Sequence, residues 1–258
     1  MTGHIHSTVR ADGIVALTIS NPNKRNALTV EMWRDLRQLF SGFQGDSELR
    51  CVLIAGHGAD AFSAGADISQ FASTRATPEQ TEKYHEEIVG PCLKVIADCP
   101  VPVVAKLRGH VMGGGLEIAG ACDLRIGDTS VLMGAPVGRL GFALAFGETQ
   151  SLFNLVGYSV LAEILIEGRV LRADEAAARG LLTRVAAPED LDSTVENTLS
   201  GICANSPLAT RMHKQQLRRL MTDSSPVTHS ERVEMYAFAR SEEYSRRTAM
   251  FLRKGKPA

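Results

Sequence analysis

No stretch of this sequence approaches the roughly 18 uninterrupted apolar residues of a membrane span, and the N-terminal MTGHIHSTVRADG lacks the apolar run of a signal peptide. A cytoplasmic location is therefore expected. Charge excess is missing as well: 28 Lys and Arg face 29 Asp and Glu, a formal charge of -1. Bulk nucleic-acid binding thus has no electrostatic basis, and any anionic ligand must be met by local groups. The five cysteines, Cys51, Cys92, Cys99, Cys122 and Cys203, have no CxxC spacing, which argues against a disulfide framework or zinc site and for buried reduced thiols. His4, His6, His57, His85, His213 and His229 form no evident metal constellation, and no fixed-period repeat is visible.

At 258 residues the chain can form one large domain, or one domain with an appendage. A strand at Gly13 to Ser20 leads to a turn at Asn21, Pro22 and Asn23. A helix follows that Thr29 can cap, with Trp33, Leu36, Leu39, Phe40 and Phe43 on one buried face. CVLIAG from Cys51 reads as a buried strand, and AFSAGADIS, Ala61 to Ser69, as a loop of small residues. Thr77, Pro78 and Glu79 start a helix extending to about Asp98, where Pro100 and Pro102 stop it. VPVVAKLRG from Val101 is the next strand, passing through a glycine turn into a short helix and another strand. Repetition of such units predicts a mostly parallel, doubly covered α/β architecture. Beyond about Pro188 only helices are expected, around Asp190 to Ala204, Pro207 to Met221 and Thr228 to Phe251. A soft boundary near residue 195 divides a core, 1–195, from a helical module, 196–258.

Two segments stand just after apolar strands: SAGAD at Ser63 to Asp67 and GGGLE at Gly113 to Glu117. Glycine lets a ligand approach the main chain, and a helix start leaves N–H donors backed by the dipole, so either could meet an oxyanion. A glycine cluster alone more often marks a tight turn. Neither segment is a GxGxxG dinucleotide fingerprint with a downstream ribose acid, nor a GxxxxGK[ST] loop.

Together these segments resemble the enoyl-CoA hydratase/isomerase, or crotonase, family over essentially the full chain. The resemblance runs through NPNKRNAL at Asn21 to Leu28, AFSAGADI at Ala61 to Ile68, KLRGHVMGGGLEIAGACDLRI at Lys106 to Ile126, ARGLLTRV at Ala178 to Val185 and MFLRKGKP at Met250 to Pro257. It implies an α/β, crotonase-like spiral of ββα units with a C-terminal helical trimerisation module, in a homotrimer or a homohexamer. It implies that the N–H groups of Ala66 and Gly114 form an oxyanion hole for an acyl-CoA thioester. It also implies a CoA channel lined by Lys24, Arg25, Ala27, Ala64, Asp67 and Ile68, with Phe251 and Lys254 touching the CoA of a neighbouring subunit. Coenzyme A is part of the substrate, and no other cofactor, no metal, no nucleic acid and no membrane is expected. Read as residues alone, Lys24 and Arg25 fit solvated surface charges as well as they fit a CoA-phosphate site, and Asp67 and Asp123 are loop acids that bond nearby backbone N–H groups. His110, beside the glycine turn, reads as structural.

Glu117 lies about one helical turn beyond Gly114, so its carboxylate can meet the same ligand. It is the candidate acid/base, the plainer reading being a first-turn acid favoured by the helix dipole. Hydratases of the family carry a second glutamate directly after the proline of a G-x-P-E segment. Here that segment is GAPVG, and Val137 can neither accept nor donate a proton. Glu148, in RLGFALAFGETQSL, could enter the acyl pocket as the second carboxylate or serve only as an acid at a helix start. The expected activity is 2-enoyl-CoA hydration or isomerisation. Decarboxylation or hydrolysis of an acyl-CoA, and acyl-CoA binding without catalysis, are the alternatives that Val137 keeps open.

Overall fold

The computed structural model describes residues 3–254, with side chains to residue 253. The chain opens with β1 (His4–Val9), β2 (Ile14–Ser20), α1 (Val30–Gly42), β3 (Cys51–Gly56) and β4 (Ala61–Ser63). Three helical pieces follow, α2 (Phe71–Thr74), α3 (Pro78–Lys83) and α4 (Gly90–Ala97), the last two joined by a π-helical turn at Tyr84–Val89. Next come β5 (Val103–Leu107), β6 (His110–Met112), α5 (Gly114–Ala121), β7 (Leu124–Asp128), β8 (Leu132–Gly134) and α6 (Phe146–Leu165). The chain continues through β9 (Val170–Arg172), α7 (Ala173–Ala178) and β10 (Arg184–Ala186) to α8 (Leu191–Ala204), α9 (Pro207–Thr222), α10 (His229–Met235) and α11 (Glu242–Lys254).

One sheet has the order β1-β2-β3-β5-β7-β10 and is parallel except for the β1–β2 pair; the other, β4-β6-β8-β9, is parallel except for β8–β9. A strand of the first sheet repeatedly hands over to a short strand of the second and then to a helix, as in β3–β4–α2 and β5–β6–α5. This is a spiral of ββα units.

Strand alternation explains why the first sheet is covered on both faces. In β3, Val52 and Ile54 join the large core with Trp33, Leu36, Phe40 and Ile96, while Cys51 and Leu53 point the other way, to Leu191, Val195 and Leu199 of α8. A strand buried on both sides needs apolar residues throughout, which is what CVLIAG supplies.

Several sequence expectations change. β1 precedes the first expected strand and is largely exposed, so it carries no buried stripe to read. Ala61–Ser63 is a strand rather than a loop, too short to establish a period. The helix expected from Thr77 to Asp98 is interrupted by its π turn, and that from Thr228 to Phe251 breaks at Ala237–Arg240. The boundary near residue 195 falls inside α8, whose buried leucines belong to the sheet; the appended part is α9 to α11. α9 is fastened by Lys214, buried and donating to Asp123 Oδ2 at 2.6 Å and to the Val101 carbonyl at 2.9 Å. Asp123 also accepts from the Val103 N–H at 2.7 Å, a structural role. Among the described residues no helix is long and apolar enough to cross a membrane.

Candidate active site

The segment Asn21 to Leu28 and the loop after β4 are tied together from within. Asn26 is buried, and its side-chain amide donates to the carbonyls of His57 and Ala61 at 2.9 and 2.8 Å. Ser63 Oγ donates to the Asn26 carbonyl at 2.8 Å and accepts from the Gly65 N–H at 3.1 Å. Leu28 then pairs with the two peptides around Ala66: its N–H donates to Gly65 O at 2.7 Å, and its carbonyl accepts from Asp67 N at 2.9 Å. A residue so straddled turns its own N–H to the opposite side of the strand. The Ala66 N–H has no partner among the described residues.

The second loop meets the first at close quarters. Gly65 has φ +93°, and a methyl group added to it would lie 2.9 Å from the Met112 carbonyl and 3.4 Å from the Gly114 nitrogen. Gly114 opens α5, so its N–H lacks an intrahelical acceptor, and a methyl group there would strike Trp33 Cζ2 at 2.8 Å. Glycine is therefore required at 65 for the two backbones to approach, and at 114 for α5 to rest against Trp33. Ala66 and Gly114 both line a cavity of about 240 Å3.

The same cavity is lined by Glu117 and Glu148, 5% and 1% exposed. Burial pushes the Glu117 carboxyl well above the usual carboxylate range; the charge of Glu148 adds to the rise, and that of Arg75 opposes it. Glu148, in the first turn of α6, accepts at Oε2 from the Ala145 N–H at 3.1 Å, and its Oε1 lies 2.7 Å from His85 Nδ1. Facing a carboxylate oxygen, His85 Nδ1–H is the donor of this pair. Glu148 is thus an acid at a helix start whose residue also lines the cavity. Val137 stands in the cavity wall beside Pro136, where no carboxylate faces it from its own segment.

Sequence reasoning missed His85, Arg75, Tyr84 and Trp33, all cavity-lining. Tyr84 and His85 are consecutive and both buried, within a turn whose Gly90 N–H reaches back five residues to the His85 carbonyl. Pro91 cannot donate and would crowd the carbonyl four residues earlier, so the wider turn relieves it. Pro91 was the available signal. His85 and Glu148 are separated by 63 residues, which no local pattern can connect.

The expected CoA-channel residues divide. Ala64 and Ile68 line the cavity; Lys24, Arg25, Ala27 and Asp67 do not. Lys24 is engaged, donating to Asp67 Oδ2 at 2.7 Å and to Ser69 Oγ at 2.8 Å. Asp67 also accepts from the Ser69 N–H at 3.1 Å, which orients its loop. Ala27 is buried, and Arg25 is exposed with φ 50°. Phe251, on α11, is 80% exposed and outside this chain's own cavity. The Lys254 side chain lies outside the described residues. Among the described residues no cluster of His, Cys, Asp and Glu could hold a metal ion.

Comparison with known proteins agrees with this architecture. A crystal structure of an enoyl-CoA hydratase/carnithine racemase from Magnetospirillum magneticum superposes with a TM-score of 0.93 at 37% identity, covering 98% of this chain and 94% of that one. The short-chain-enoyl-CoA hydratase of Clostridium acetobutylicum is 31% identical over 208 residues, 81% of this chain and 78% of the relative. The crotonyl-CoA hydratase of Syntrophomonas wolfei is 31% identical over 205 residues, 80% of this chain and 78% of the relative. The family model described as enoyl-CoA hydratase/isomerase matches residues 10–258, and the chain belongs to that family.

Proposed function

We propose that this protein is a 2-enoyl-CoA hydratase or isomerase that holds the thioester oxygen between the N–H groups of Ala66 and Gly114 and moves protons with Glu117. The observation that carries the reading is that Ala66 and Gly114, whose N–H groups have no partner among the described residues, line one cavity with two buried glutamates. Polarising the thioester carbonyl lets Cα proton transfer, or attack at Cβ, pass through an enolate whose charge rests on one oxygen. Each donor aimed at that oxygen contributes about 3 to 4 kcal/mol to the transition state. Glu148, oriented by His85, is the second carboxylate in place of the one absent at Val137. Coenzyme A arrives with the substrate, and the chemistry needs no separate cofactor.

The apolar side chains exposed on the C-terminal helices, Leu217, Leu220, Tyr236, Phe251 and Leu252 among them, support a homotrimer or dimer of trimers. In that assembly Phe251 meets a neighbour's CoA. Five unbridged cysteines, four of them buried, suit the reducing cytoplasm.

Following the loss of enoyl absorbance of crotonyl-CoA tests hydration, and Glu117→Gln should lower the rate by about 100- to 10,000-fold. A variant with full activity would reject the role of Glu117. Val137 favours a second reading, decarboxylation or hydrolysis of an acyl-CoA. That reading requires product release from a saturated acyl-CoA with no consumption of crotonyl-CoA.

A further inference from the structure

Arg75 is the cavity residue that the chemistry above leaves without a task. Its guanidinium is packed against three aromatic rings, with Cζ 4.2 Å from the Phe71 centroid, 4.0 Å from Tyr84 and 5.2 Å from Phe142. Such rings stabilise a flat cation and fix its plane. The ring faces take no conventional hydrogen bond from it, and of the three only Tyr84 carries a hydroxyl, which the Arg75 guanidinium reaches. Nε and Nη1 are buried with no hydrogen-bond partner, and Arg75 forms no ion pair among the described residues. Trp33, in the same cavity wall, also buries its indole Nε1–H, set toward the Tyr84 hydroxyl. Glu117 feels the charge of Arg75 without pairing with it, which leaves that carboxyl available for proton transfer.

Buried donors of this kind are costly unless something completes them, and a charged donor most of all. The cavity around Arg75 combines apolar side chains, Phe71, Leu140, Phe142 and Leu144, with Tyr84, His85 and the two glutamates, yet none of these hydrogen-bonds Nε or Nη1. What Nε and Nη1 lack is an acceptor of their own, and an anionic one that enters with the ligand would match the guanidinium.

We infer that Arg75 selects acyl-CoA thioesters whose acyl group carries a carboxylate of its own, that is, monothioesters of dicarboxylic acids. The inference rests on the acyl-CoA reading of this cavity and deepens it. The acyl carboxylate takes the donors of Arg75 while the thioester oxygen lies at Ala66 and Gly114, so the acyl group is held at both ends.

The test is calorimetric titration of the full-length protein with two unreactive thioesters of equal shape, glutaryl-CoA and 5-methylhexanoyl-CoA, which differ in a terminal carboxylate against an isopropyl group. The wild type should bind glutaryl-CoA about 10- to 100-fold more tightly, the range expected for hydrogen bonds to a charged group. Arg75→Gln should abolish that preference while changing 5-methylhexanoyl-CoA affinity by less than about 3-fold, and Arg75→Lys should restore part of it. The wild-type comparison stands even if a variant fails to fold. Equal affinity for the two probes, or a preference for the apolar one, overturns the inference and leaves the acyl-CoA reading intact. If neither thioester binds, the acyl-CoA reading itself fails and takes this inference with it.

Discussion

Glu117 occupies surroundings that oppose its own charge, buried in a helix start with Glu148 facing the same cavity. Its carboxyl titrates higher in the folded chain than in the unfolded one, so the native state holds the proton more firmly. The stability this provides is complete below the ordinary carboxylate range and is lost as pH rises toward the folded value. Glu117→Gln, neutral at every pH, should therefore raise the Tm at pH 7 to 8, with the gap closing near pH 4. Each kcal/mol relieved corresponds to about 2 to 4 °C at this chain size. Calorimetry of both proteins across that range checks this, and a variant less stable at pH 8 would contradict it. The neighbours set a second expectation. Glu148→Gln removes the charge that raises Glu117, and Arg75→Gln the charge that lowers it, so the limb of the kcat/KM profile that reports Glu117 should move to lower pH in the first and to higher pH in the second. Glu117 was legible in the sequence because one helical turn separates it from Gly114. Arg75 and His85 were not, since what distinguishes them is a tertiary neighbour.

At the scale of elements, the site depends on two places where regular structure yields. The loop after β4 and the start of α5 touch because Gly65 and Gly114 leave room for backbone and for Trp33. Gly114→Ala must shift the start of α5 away from Trp33, and on the proposed role of the Gly114 N–H kcat/KM should fall about 100-fold or more. Steady-state kinetics decides this, and an unchanged kcat/KM would detach α5 from the chemistry. The other place is the π turn at Tyr84–Val89. Pro91→Ala gives that segment back an N–H and removes the crowding that favours the wide turn. The variant should keep or raise its Tm while losing activity as His85 turns from Glu148. Most elements were readable from apolar periodicity and caps, including the Thr29 and Thr77 caps seen in α1 and α3. The short strands β4, β6 and β8 were not, because three residues cannot display a period of two.

For the whole molecule, the family likeness and the ββα spiral agree, and the C-terminal helices leave an apolar surface that one chain does not cover. Light scattering should give the mass of a trimer or hexamer, and Leu217→Glu combined with Leu220→Glu should lower it. A wild-type monomer at micromolar concentration would remove the basis for assigning Phe251 to a neighbouring CoA. The most direct test of the mechanism is a crystal structure of the protein with bound butyryl-CoA. The account predicts the thioester oxygen within about 2.7 to 3.1 Å of both the Ala66 and Gly114 nitrogens. A thioester oxygen bound elsewhere, or touching only one of the two, would contradict it.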